Sequence, residues 1–161
     1  NSENARDMKK KVKKQKTLSG RRLLLERAGL AIKHEFYLEA SWTLSTLFAM
    51  KLTRFIERWQ PAEKAAHLTF ARMIRTAKKV VVTSGRSDRP ATDLLVLFDE
   101  IRGWKNLRNE LLKDIREVQV SQARLERLAS EGARLYAVLG KATKVYRNSG
   151  SHPGTAAEET G

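Results

Sequence analysis

Arg108, Asn109, Lys113 and Asp114 stand close together in the run GWKNLRNELLKDI, residues 103–115. An arginine keeps its charge at any physiological pH and forks onto phosphate oxygens, and an amide beside it orients polar groups. An ammonium steadies developing negative charge, and a carboxylate accepts protons. The run has helical spacing, with Trp104, Leu107, Leu111 and Ile115 recurring at threes and fours on one face. Arg108 and Asp114 fall at the borders of that face. A charge at the edge of an apolar stripe must reach solvent, find a partner or face a cleft. Arg108 and Asp114 are therefore the candidates for chemistry that this spacing offers.

A second polar set lies earlier in the chain. Arg72, Arg75 and Lys79 are helical neighbours, Lys78 stands beside them, and Arg86 and Arg89 follow in the loop TSGRSDRP. Lying away from the apolar stripe of their segment, they suit contact with a phosphate backbone or simple solvation. The paired acids Asp99 and Glu100 diverge by about 100° on a helix and cannot share one substrate atom. His34, His67 and His152 are far apart and form no metal-ligand spacing, and the chain has no cysteine. Zinc, disulfides and thiolate catalysis are not expected. No phosphate-binding glycine loop, nucleophile elbow or HExxH motif is present, and no cofactor is expected.

The formal charge is +14, and residues 9–22, KKKVKKQKTLSGRR, hold eight basic residues and no acid. Between residues 23 and 147 there remain 23 basic against 14 acidic residues. The folded part is basic in its own right, which favours polyanions. Lys9, Lys10, Lys11, Lys13 and Lys14 would add non-specific affinity for nucleic acid. No apolar run approaches the roughly 20 residues that span a bilayer, and the basic N-terminus lacks the apolar region of a secretory signal. Without interleaved aromatics it does not read as a membrane-surface segment either. The expectation is a soluble, cytoplasmic protein with no membrane partner.

The elements that position these residues read as helices throughout. Residues 1–18 form a basic flexible tail, 19–147 a helical bundle and 148–161 a second flexible tail, and Met8 reads as the natural start. Five segments are expected. The first runs from Ser19 as cap to His34, with Leu24, Leu25, Ala28, Ala31 and Ile32 inward. The second runs from Glu35 to Trp59 through Leu44, Phe48, Leu52 and Phe55. The third begins at Pro61 and aligns Ala66, Phe70, Met73, Ala77 and Val80. The fourth is capped by Thr92 and extends to Val118. The fifth carries Leu125, Leu128, Gly132, Leu135, Leu139, Ala142 and Tyr146, and Gly132 in that seam predicts a close helix approach. The stripes fit an all-α, near-antiparallel bundle, and the aromatic residues on them are expected in the core.

RNELLKD, residues 108–114, resembles the signature of HEPN-domain proteins, an α-helical superfamily of prokaryotic defence and toxin systems. That signature is an arginine, often followed by asparagine, with a histidine four to six residues on. RAGLAIKHEFYLEASWTLSTLFAMKL is similar to the opening helical hairpin of such domains, and LASEGARLYAVLGKATKVYR to the closing helix of uncharacterised bacterial HEPN-like proteins. The resemblance covers residues 20–147. It implies a bacterial homodimer acting on RNA, with Arg108 and Asn109 lining a cleft at a two-fold interface. Lys113 stands where the family has its histidine, and an ammonium is a poor general base near neutral pH.

The sequence thus points to a HEPN-like bundle that has lost its catalyst and binds RNA, more than DNA, through phosphate contacts from Arg108, Lys113 and the Arg72–Lys79 face. Two alternatives accompany that expectation. One is a non-enzymatic interaction subunit with an acidic protein partner. The other is a metal-independent ribonuclease in which Lys113 or Asp114 replaces the histidine.

Overall fold

The computed structural model describes residues 20–117 and 120–150, and every regular element among them is helical. They are α1 (Gly20–Lys33), α2 (Tyr37–Trp59), a 3-10 turn (Ala65–His67), α3 (Phe70–Thr83), α4 (Arg89–Glu117) and α5 (Gln122–Ser149). The expected all-α bundle of five helices is what forms. The expected N-terminal tail with its lysines, Ser19, Val118 and residues 151–161 lie outside the described residues, whereas the last helix runs two residues into the expected C-terminal tail, to Ser149. No described helix is long and apolar enough to cross a membrane.

α1 ends in a tight reversal. The Phe36 amide donates to Ala31 O at 2.8 Å and the Glu35 amide to Ile32 O at 3.1 Å, with Glu35 at φ 62°. This is the paired hydrogen-bond pattern that closes helices through one left-handed residue. The short turn lays α2 antiparallel to α1. Phe48 of α2 meets Trp104, and Phe55 meets Phe98, so α4 runs antiparallel to α2. Glu100 lies by Arg134 and Trp104 by Leu128, so α5 is antiparallel to α4 and parallel to α2. Phe48 against Tyr136 and Phe55 against Tyr146 agree with that direction.

Two expected boundaries shift, each for a local reason. The third helix begins at Phe70 rather than Pro61. Lys105 touches both Ser45, in the first half of α2, and Phe70, and Lys78 pairs with Asp99. α3 is therefore also antiparallel to α4, and residues 60–69 must carry the chain back along α2 before it starts. Thr69 caps α3, accepting from the Arg72 amide at 3.4 Å. Ala65 rather than Ala66 is buried in the returning segment. α4 starts at Arg89, with Pro90 in its first turn. Thr92 is already inside it, its hydroxyl donating to Asp88 O. α5 begins after Ser121, whose side chain accepts from the Arg124 amide.

The core is a layered aromatic and aliphatic seam. Phe48, Phe98, Ile101, Leu135 and Tyr146 are almost wholly buried, with Met73, Ala77 and Val80 of α3 closing one side. Gly132 is where the seam is tightest: a Cβ there would lie 2.6 Å from Trp104 Cζ2. The indole is held in place, its Nε1–H donating to Leu128 O at 2.8 Å. The close approach expected at Gly132 is real, and its partner is a tryptophan ring.

Candidate functional site

α4 enters the core along Leu94, Phe98, Ile101, Trp104, Arg108 and Leu111, at steps of three and four residues. Arg108 is therefore not at the border of the stripe but on it, 9% exposed. Of the four residues expected on the packing face, Trp104 and Leu111 are buried, while Leu107 is 45% and Ile115 41% exposed. The stripe is set by Ile101 and Trp104 upstream, and a helical step carries it to Arg108 while Leu107 falls about 100° away.

The Arg108 guanidinium has no carboxylate partner among the described residues. Its Nη1–H donates to Asn109 Oδ1 at 3.3 Å, and its buried Nε–H has no acceptor. One helical turn before it, Lys105 is half-buried and donates to Ser45 Oγ at 2.5 Å, with its ammonium 5.1 Å from the centre of the Phe70 ring. Burial and the neighbouring Arg108 push the Lys105 pKa down to about 8, and burial also lowers that of Arg108. Lys105, on the Ser45 hydroxyl, and Arg108, one turn on and close enough to lower its pKa, thus form a cationic pair with no ion-paired acid among the described residues. An unpaired buried charge costs several kcal/mol unless a counter-charge reaches it. The chemistry that such a cluster supports is retention of an oxyanion: a guanidinium N–H with a free direction, an ammonium and a hydroxyl.

The remaining signature residues do not join this cluster. Lys113 is exposed and Asp114 half-exposed. Five residues along a helix place Lys113 about 140° around from Arg108. Asn109 is exposed but touches Arg108. On its other flank α4 forms, with α5, a groove of about 1030 Å³ lined by the apolar Trp104, Leu107, Leu111 and Leu128, by Arg124 and Arg127, and by Glu100 and Glu131, both of which are paired with Arg134.

The basic face of α3 divides. Arg72, Arg75 and Lys79 are exposed, whereas Lys78 pairs with Asp99 at 2.6 Å. Arg86 is committed to the end of α5. It donates to Asp88 Oδ2 at 2.7 Å, to Tyr146 O at 2.8 Å and to Ser149 Oγ at 2.7 Å, and stacks 3.9 Å over the Tyr146 ring. Arg89 is solvated, with a long contact of 3.7 Å to Asp93. Asp99 and Glu100 each face a separate cation, Lys78 and Arg134, as expected of acids that diverge on a helix. Lys9, Lys10, Lys11, Lys13 and Lys14 lie outside the described residues.

A larger basic feature went unread in the sequence. At the far end of the bundle α1, α2 and α5 enclose a groove of about 550 Å³ whose lining includes Arg21, Lys51, Arg54, Arg58, Lys144 and Arg147, and no acid. Spacings of three and four, Lys51–Arg54–Arg58 and Lys144–Arg147, were the available signal.

No protein-family model matches the chain, and no curated protein or solved structure matches it significantly.

Proposed function

We propose that this protein is a nucleic-acid-binding helical bundle, a HEPN-like domain without its catalyst, that holds RNA through phosphate contacts. The observation that carries this reading is the buried Arg108, which has no acid partner among the described residues and stands one turn from the half-buried Lys105. A fold that keeps one cation buried and a second half-buried beside it has a reason to do so when an anion completes them. The +14 charge supplies the long-range attraction for a polyanion. The position of Arg108 in RNELLKD supports a phosphate of RNA as that anion, and the resemblance extends the reading to a homodimer.

Loss of catalysis fits the same geometry. Lys113, in the histidine position, is exposed and stands about 140° around the helix from Arg108, so the two do not converge on one atom. The alternative of an interaction subunit draws on the groove between α4 and α5, whose apolar residues and arginines Arg124 and Arg127 suit an acidic amphipathic segment.

The test is fluorescence anisotropy of labelled single-stranded RNA with the protein and its Arg108→Gln variant. Binding that weakens about tenfold in the variant supports the reading. Equal binding by both removes Arg108 from it.

A further inference from the structure

The groove at the other end of α2 is a site distinct from Arg108. Lys51, Arg54 and Arg58 descend one face of α2, and Lys144 and Arg147 one face of α5. Because these two helices run parallel, both basic ends arrive at the same level, and Arg21 at the start of α1 closes the third wall. None of these six cations makes an ion pair or a hydrogen bond with a carboxylate among the described residues. Burial and the charges of Arg21, Arg54 and Arg147 lower the pKa of Lys51. The groove is thus positive beyond what the fold needs.

The six cations line a concave groove between three helices, with Arg54, Arg58, Lys144 and Arg147 exposed along it, and what selects among polyanions is its aromatic lining. Phe55 lies in the lining, and Trp59 is 39% exposed, held edge-on to Tyr146 with ring centres 5.4 Å apart. An upright indole beside a row of cations offers a stacking surface for a base while the cations follow the backbone. Thr143 adds a hydroxyl and Gly140 keeps the channel open: a Cβ at Gly140 would stand 4.0 Å from Lys51 Nζ with nothing nearer.

We propose that this α1–α2–α5 groove is the track for a single-stranded nucleic acid, with Lys51, Arg54 and Arg147 holding successive phosphates and Trp59 stacking on a base. The ligand class rests on the nucleic-acid reading above, but the site is independent of Arg108.

The experiment measures anisotropy of a fluorescein-labelled oligouridine, with unlabelled duplex RNA, polyglutamate and phosphatidylserine vesicles as competitors. The variants are Arg54→Gln with Arg147→Gln, Gly140→Leu and Arg108→Gln, each checked by thermal melting. The double variant is expected to lose about tenfold or more in affinity. Its log–log salt slope should fall by about 1.4, which is two phosphate contacts on a single strand. Gly140→Leu fills the channel without changing charge and is expected to weaken binding as well. It decides the matter should the double variant fail to fold. Binding at full strength by Gly140→Leu and the double variant overturns the groove assignment, and so does stronger competition by duplex, polyglutamate or vesicles than by unlabelled oligouridine. If only Arg108→Gln loses affinity, the groove inference falls and the nucleic-acid reading stands. If the unmodified protein binds no oligonucleotide, both fall.

Discussion

Lys105 and Arg108 lie one helical turn apart on α4, the first half-buried and the second buried, and neither pairs with a carboxylate among the described residues. Burial, and after it the nearby charge of Arg108, lowers the Lys105 pKa to about 8. A helix that buries two like charges side by side gives up stability there, and that sacrifice has measurable consequences.

Replacing Arg108 by Met keeps the volume of the side chain and removes the unpaired charge. Substitution of buried ionic groups by apolar residues of similar size is often stabilising by about 1–4 kcal/mol. Urea unfolding of Arg108→Met without ligand is expected to shift to a higher midpoint, while RNA affinity drops. A variant less stable than the parent shows that Arg108 has a counter-charge in the free protein.

Stability should also depend on pH through Lys105. Its folded pKa of about 8 lies below the ordinary lysine value of 10.5, so the unfolded chain binds the proton more tightly. The cost of holding Lys105 charged is therefore fully present below about pH 8 and disappears as pH rises toward 10.5. Lys51 shifts in the same direction. The contribution of Lys105 is read as the difference between the parent and Lys105→Met, and the parent should gain on the variant between those two pH values. Inorganic phosphate, by keeping Lys105 protonated, should flatten the difference. A gap that stays constant with pH contradicts the burial of this ammonium.

Two glycines of α5 should respond in opposite senses to alanine. At Gly132 the new Cβ meets the hydrogen-bonded Trp104 ring at 2.6 Å, and such overpacking costs about 1–3 kcal/mol. At Gly140 the nearest atom is 4.0 Å away, and the higher helix propensity of alanine should add up to about 1 kcal/mol. Thermal melting of Gly132→Ala and Gly140→Ala checks both signs at once.

If the histidine position has lost its function, incubation with total RNA in EDTA should give no cleavage above that of Arg108→Ala. Cleavage that depends on Arg108 establishes instead the metal-independent ribonuclease, with another group acting as its base.

Much of the architecture was legible in the residues. The 3-4 stripes through Phe48, Phe55, Leu128 and Leu139 mark faces that are buried, and Gly132 marked the tightest packing. Residues 60–69 were not legible, because Pro61 is a good first-turn residue and nothing local reveals that the chain must return along α2. The phase of α4 was misread for a related reason. Counting hydrophobic residues puts Leu107 inward and Arg108 at the border, and only contacts from α2 and α3 rotate the arginine into the core. The α1–α2–α5 groove was hidden by an ordinary pattern. Cations such as Arg58 and Arg147 in the last turns of helices complement the helix dipole. Their convergence follows from the parallel run of α2 and α5, a relation that no single segment carries.

The claim that phosphate contacts from a basic bundle define this protein is tested most directly by the salt dependence of RNA binding. The affinity for a labelled oligouridine is measured from low to moderate salt and plotted on logarithmic axes. A steep negative slope is predicted, with each contacted phosphate contributing about 0.7. A flat line across that range contradicts the account.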